Sequence, residues 1–386
     1  MRPFTYCVPT DIRFGQGTVS CLGEALGKYG RKVLLVYGGG SIKKTGLYDK
    51  VMEQLKGYEV TELPGIEPNP KIGSVREGAR ICKEKGIEVV LAVGGGSTVD
   101  ASKAIAGGAC YDGDPWDLVL DSSKVKAALP IADVLTMSAT GSEMNPGGVI
   151  SNPETREKLE VNNPHLYPSL SILDPTILYT VPPKQTAAGT ADIISHVCEQ
   201  YFQPYDGAYI MDRLCEGVLQ TAFKYGPAAL KKPDDYEARS NLMWAATIGL
   251  NDLLSRGKGG EWSVHPIEHV LSAYYDITHG VGLAILTPSW MRHVLSEKTE
   301  ARFAMYAKNV FGIDTGDTRK DAEAGIDRTE EFFVSMGLPK TLREVGIGPE
   351  KFEEMAKEAV RTSRISWDAY VHLNPEDVLE IFRMCE

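Results

Sequence analysis

The stretch IEVVLAVGGGSTVDASKAIAGG, residues 87–108, decides the fold class. It opens as a continuous Val/Leu/Ala run, the pattern of a strand buried on both faces rather than on one. Three glycines end the run, and a helical pattern, VDASKAIAGG, follows at once. A buried strand that passes through glycines into a helix is the repeating unit of a parallel sheet covered by helices. The same handover stands upstream in RKVLLVYGG (31–39), with helical patterns over 45–56 and in IGSVREGARICKEKG (72–86), closed by Gly86. Further strands are expected at PIADVLTMS (130–138) and SLSILDP (169–175).

Beyond Pro182-Pro183 the texture changes, because proline disfavours regular structure running through it. Little β signal follows, and helical windows dominate, among them DRLCEGVLQTAFKYG (212–226) and YEARSNLMWAATIGLNDLLS (236–255). The expected organisation is an α/β domain over residues 1–183 and an all-α domain over 184–386. A chain of 386 residues is long enough for two cores. Its net charge of −11 argues against nucleic-acid and anionic-membrane partners. No apolar run reaches membrane-spanning length, and the start lacks a signal-peptide core. Seven scattered cysteines without a C-x-x-C pair read as free thiols of a reducing compartment, so a cytoplasmic protein is expected.

Glycine loops at strand ends let backbone N–H groups approach an anion, and the following helix turns its positive end toward it. VGGGSTVD (93–100), VYGGGSIKKTG (36–46) and SATGSEMNPGG (138–148) all follow strand patterns. Each alone is explained by turn chemistry. Three together favour a long phosphate-bearing ligand along the sheet edge.

A second constellation lies further on. In DIISH (192–196), Asp192 and His196 are four apart and share a helix face. HPIEHVLSAYYDITHG (265–280) holds His265, His269 and His279. The apolar faces of the two helices are Ile193, Ile194, Val197 and Tyr201, and Ile267, Val270, Leu271 and Tyr274. The polar pairs therefore lie away from the core faces. One such pair is an ordinary solvated face. Two pairs and a further histidine form a donor set for Fe²⁺ or Zn²⁺, though spacing does not say which histidine is left out.

With these residues the chain resembles the iron-containing (group III) alcohol dehydrogenase family, in its butanol dehydrogenase and NADPH-dependent aldehyde reductase branch. The resemblance rests on FGQG (14–17), GGGSTVDASK (94–103), ATGSE (139–143), LDPTILYTVPPKQTAAGTADIISHVCEQY (173–201) and HPIEHVLSAYYDITHG. It implies a Rossmann-like α/β domain with a mainly parallel sheet, followed by an all-α domain, in the dehydroquinate synthase-like architecture. It places metal ligands at Asp192, His196, His265 and His279, with His269 as an additional active-site histidine. It puts Gly94, Gly95, Gly96 and Ser97 on the pyrophosphate, and Asp100, Ser138, Thr140, Ser142, Asn145, Lys158 and Leu178 around the cofactor. LTMSATGSE (135–143) departs from the commoner PTTAGTGSE, which leaves contacts near 136–138 open.

The implied reaction is reversible hydride transfer between NAD(P)(H) and a primary alcohol or aldehyde such as butanol or butyraldehyde. Fe²⁺ is the expected metal, with Zn²⁺ as the other candidate, and His269 is the expected proton relay. No carboxylate occurs between Tyr37 and Asp49, whereas Gly39, Gly40, Ser41, Lys43 and Lys44 do. Such a loop suits a 2′-phosphate, so NADP is expected to be preferred over NAD. Family members commonly associate, and a homodimer is expected through the N-terminal edge segment TYCVPTDIRFG (5–15). The competing readings are a glycerol dehydrogenase or dehydroquinate synthase-like relative, and a non-catalytic nucleotide-binding protein.

Overall fold

The computed structural model describes all residues from Met1 to Glu386, which form two compact units. One unit comprises Cys7–Val181 and Lys232–Asn251; the other comprises Met1–Tyr6, Pro182–Lys231 and Asp252–Glu386.

In the first unit the strands are β1 (Asp11–Phe14), β2 (Lys32–Tyr37), β3 (Glu59–Leu63), β4 (Val89–Gly94), β5 (Ile131–Leu135), β6 (Gly147–Asn152), β7 (Glu157–Asn162) and β8 (Leu170–Leu173). Six of them form a wholly parallel sheet in the order β1-β8-β5-β4-β2-β3. The helices are α1 (Leu22–Leu26), α2 (Ser41–Lys44), α3 (Leu47–Gln54), α4 (Ile72–Lys85), α5 (Gly96–Ala109) and α6 (Trp116–Leu120).

The unbroken apolar runs of β2 and β4 follow from this covering. Leu34, Val36 and Val90 point to one face, where they meet Ala101, Ala104 and Ile105 of α5 and Ile72 and Val75 of α4. Val33, Leu35, Val89, Leu91 and Val93 point to the other, against Leu22, Leu26, Leu47 and Val51. Both sets are shut away from water, so neither face carries the polar alternation of a half-exposed strand.

The chain continues through α7 (Pro183–Tyr201), α8 (Tyr209–Lys231), α9 (Tyr236–Gly249), α10 (Val264–Tyr275), α11 (His279–Val294), α12 (Glu300–Tyr306), α13 (Thr318–Ser335), α14 (Phe352–Arg361) and α15 (Pro375–Met384). The second unit is helical apart from a single bridge between Glu261 and Ala369. α7 starts with Pro183 at its first position, where a missing N–H costs nothing.

Two features differ from the sequence reading. β6 and β7 make an antiparallel hairpin outside the parallel sheet, and their short polar runs gave no strand pattern. The helix of 236–255 ends at Gly249 and belongs to the sheet unit, so a single cut at 183/184 misassigns it. The reason lies in its packing. Met243 shares a small core with Leu135, Leu173 and Leu178, and the Thr247 hydroxyl donates to Glu143. Conversely, Met1–Tyr6 join the helical unit, where Arg2 donates to the Lys258 carbonyl.

Candidate metal centre and glycine loops

Asp192 and His196 stand one turn apart on α7, a helix buried at every position from Thr186 to Tyr201. Their face is therefore not a solvated one. His265 lies in the first turn of α10, and His279 is the first residue of α11. Two glycines let α11 approach. A Cβ on Gly280 would sit 2.0 Å from the Ala188 carbonyl of α7, and one on Gly282 would sit 2.8 Å from Cγ of Glu268. The sequence HGVG is thus dictated by backbone and side-chain proximity at the site.

These elements gather one donor atom from each of Asp192, His196, His265 and His279, all within 4.8 Å of one another. Asp192 Oδ1 lies 3.5 Å from His196 Nε2, 3.6 Å from His279 Nε2 and 3.9 Å from His265 Nε2. Metal bonds of about 2.0–2.2 Å would set tetrahedral ligand atoms about 3.3–3.6 Å apart, so the spacing fits an ion. Asp192 Oδ1 and His265 Nε2 are buried without a hydrogen-bond partner, a costly state that an ion would relieve.

The acid and the imidazoles favour one another's charged forms. Burial alone pushes the Asp192 carboxyl up, but the surrounding imidazoles of His196, His279 and His265 outweigh it and hold the group at about 2. Burial depresses His265, yet Asp192 and Glu199 together raise it to about 9.

His269 stands outside this set. Its ring centroid is 5.7 Å from that of His279 and 6.3 Å from that of His265, and the residue is half-buried. With Glu268 and His279 it forms a second donor group, but Glu268 is engaged by the Ser272 hydroxyl and His279 Nδ1. Trp262, which no sequence pattern marked, covers two of the rings, 5.6 Å from His196 and 4.8 Å from His265. His165, His293 and His372 lie elsewhere in the chain, and His293 pairs with Asp377.

In the sheet unit, the first and second glycine loops leave adjacent parallel strands, with Tyr37 of β2 beside Val93 of β4. The helix after Gly94-Gly95-Gly96 has Gly95 as its N-cap, which has no side chain to satisfy the first N–H groups. An anion there would. A Cβ on Gly94 or Gly96 would collide with Thr98 or Thr140, which fixes the loop tightly. Ser138 Oγ is buried with no partner. The residues fit a dinucleotide phosphate.

Other expected cofactor contacts are occupied within the protein. Lys103, fully buried, donates to Ser142 Oγ at 2.8 Å, Asn145 Oδ1 at 3.0 Å and the Gly147 carbonyl at 2.6 Å. Ser142 in turn donates to Asp100 Oδ1, and Asn145 donates to the Gly141 and Leu250 carbonyls. Burial draws the Lys103 ammonium down to about 8 despite the acids around it. Lys158 lies on β7 opposite Ser151, and its charge reaches Asp100. Leu178 is a core residue.

The second loop holds an acid that the local sequence did not reveal. β3 pairs beside β2 and brings Glu62 to the loop, where it accepts from the Tyr37 and Tyr48 hydroxyls. Those two bonds, with Lys43 at 3.6 Å, hold the Glu62 carboxyl below its ordinary value. Lys43 also lies over both tyrosine rings, 5.0 and 4.5 Å from their centroids. Ser41 and Lys44 are exposed. The premise that no carboxylate serves this loop is therefore corrected.

Comparison with known proteins identifies the family. Residues 9–175 match the family model for iron-containing alcohol dehydrogenase, and residues 186–385 match that for the C-terminal region of the Fe-containing alcohol dehydrogenase family. The chain is 54% identical over 386 residues to NADH-dependent butanol dehydrogenase A of Clostridium acetobutylicum, covering 99% of each chain. It is 39% identical over 360 residues to NADPH-dependent aldehyde reductase YqhD of Escherichia coli, covering 92% of each. The crystal structure of NADH-dependent butanol dehydrogenase A from Thermotoga maritima superposes with a TM-score of 0.96 at 43% identity, over 100% of this chain and 99% of that one. The chain is an oxidoreductase that belongs to the iron-containing alcohol dehydrogenase family.

Proposed function

We propose that this enzyme interconverts primary alcohols and aldehydes of the butanol/butyraldehyde class with NAD(P)(H), using one divalent metal ion held by Asp192, His196, His265 and His279. The carrying observation is the buried carboxylate ringed by three imidazoles at 3.5–3.9 Å. The relatives named for butanol dehydrogenase and aldehyde reductase support the substrate class. The donor set suits Fe²⁺ or Zn²⁺. Metal analysis of purified protein, followed by a butyraldehyde-dependent NAD(P)H absorbance assay, tests the reading; metal-independent turnover or none at all counts against it.

When bound, the metal supplies Lewis-acid polarisation of the substrate oxygen and the nicotinamide supplies the hydride. The chain's own residues position and protonate. Gly94, Gly95, Gly96 and Ser97 hold the pyrophosphate at the uncapped start of α5. Thr140 and Ser138 border the cofactor. Aldehyde reduction consumes a hydride and one proton, and His269 carries that proton between solvent and substrate oxygen.

For cofactor choice, Lys43 favours a 2′-phosphate, but Glu62 beside it offsets that charge. Relatives bearing both cofactor names accord with such a balance. NADH and NADPH are expected to differ by less than about tenfold in kcat/KM, equivalent to about 1.4 kcal/mol. Steady-state kinetics with both cofactors check this, and a hundredfold preference either way contradicts it.

The chain is proposed to work as a homodimer. β1 forms one edge of the six-stranded sheet, with Phe14 half-exposed, and open edges invite pairing. Only Asp11–Phe14 of the expected N-terminal segment is strand. Light scattering at micromolar concentration should give twice the chain mass; a monomer would refute the dimer. No helix is long and apolar enough to cross a membrane. All seven cysteines are free, which supports a reducing, cytoplasmic location.

A further inference from the structure

Two of the three helices that carry a histidine of the proposed centre also carry a glutamate three residues later: His196 precedes Glu199 on α7, and His265 precedes Glu268 on α10. Both glutamates contact a histidine of the next histidine-bearing helix. Glu199 reaches across to α10, where Oε1 lies 3.2 Å from His265 Nδ1. Glu268 reaches across to α11 and meets His279 Nδ1. The two contacts form a chain of custody: α7 orients the donor of α10, and α10 orients the donor of α11.

Both carboxylates are themselves fixed. Glu199 accepts the backbone N–H of Ser263 and of His265, each at 2.8 Å. Glu268 accepts the Ser272 hydroxyl and has no exposed surface, and its side chain occupies the space left by the missing Cβ of Gly282. A carboxylate at Nδ1 accepts a hydrogen bond from Nδ1–H, which leaves the Nε2 lone pair of each ring for Asp192's neighbourhood. His265 Nε2 and His279 Nε2 are the atoms at 3.9 and 3.6 Å from Asp192 Oδ1.

We infer that Glu199 and Glu268 are positioning residues of the metal centre, which set the tautomer and orientation of His265 and His279 and strengthen both as donors. The inference rests on the four-residue centre proposed above. Outer carboxylates of this kind typically contribute about 10- to 100-fold in metal affinity.

The test measures Co²⁺ and Zn²⁺ affinity by competition with a chromophoric chelator, on chelator-stripped wild type and on the Glu199→Gln and Glu268→Gln variants. Glutamine keeps the shape but removes the charge. Each variant is expected to bind about 10- to 100-fold more weakly, with a changed visible absorption spectrum for bound Co²⁺. Melting temperatures of the metal-free proteins identify any general loss of folding. Should Glu199→Gln not fold, because it also caps the turn at Ser263, Glu268→Gln decides. Wild-type affinity and an unchanged Co²⁺ spectrum in a folded variant overturn the inference while leaving the centre intact. Failure of wild type to bind one ion per chain removes the centre itself.

Discussion

Replacing His265 or His279 with alanine is expected to reduce turnover of butyraldehyde by about 10³-fold or more and to strip the metal. The reasoning starts from the donor count. A site of one carboxylate and three imidazoles that loses an imidazole binds a divalent ion far more weakly, because binding is shared among few strong donors. Lewis-acid polarisation is worth several kcal/mol of barrier, and each ~1.4 kcal/mol is tenfold in rate. Each variant also leaves a buried glutamate without its ring partner, Glu199 for His265 and Glu268 for His279. Metal content by mass spectrometry, with kcat/KM on the same samples, checks both. Full metal content and full activity in either variant would sink the ligand assignment.

Replacing His269 with alanine should give a different signature: about 10²- to 10⁴-fold lower rate with metal retained. His269 stands one turn beyond His265 on α10, beside the rings of His265 and His279 but not among the four donors facing Asp192. A half-buried imidazole in that place reaches both solvent and the region of the ion. The diagnostic comparison is metal content against rate. Parallel loss of both would make His269 a ligand or a support for one, and the relay role would fall.

The parts of this architecture written in the chain as local pattern were legible. The buried runs ending at Gly38 and Gly94 predict parallel strands because each residue there faces a covered side, as Val33–Tyr37 and Val89–Val93 do. The i, i+4 spacing of Asp192 and His196 survives as a shared helix face. What escaped depends on contacts between distant segments. Glu62 reaches the second glycine loop only through the pairing of β3 with β2. The place of α9 in the sheet unit follows from Met243 meeting Leu135, Leu173 and Leu178, and Thr247 meeting Glu143, all far earlier in the chain. Lys103 looks like a surface lysine on a helix, yet it is fully enclosed by the loop from Ser142 to Gly147. Glu199 and Glu268 carried a weak signal, a glutamate three residues after each of two histidines. Its meaning emerges only when α10 is laid against α7 and α11 against α10. An i, i+4 polar pair such as Asp192 and His196 is by itself the mark of a solvated face, and the structure buries it.

Metal reconstitution tests the central claim most directly. Wild-type protein is stripped with chelator under anaerobic conditions, then titrated with Fe²⁺ while metal bound per chain and butyraldehyde reduction are recorded together. The account predicts negligible turnover in the stripped protein and recovery in proportion to bound iron, saturating at about one ion per chain, as a single four-ligand site requires. Undiminished turnover by protein shown to contain no metal would contradict it.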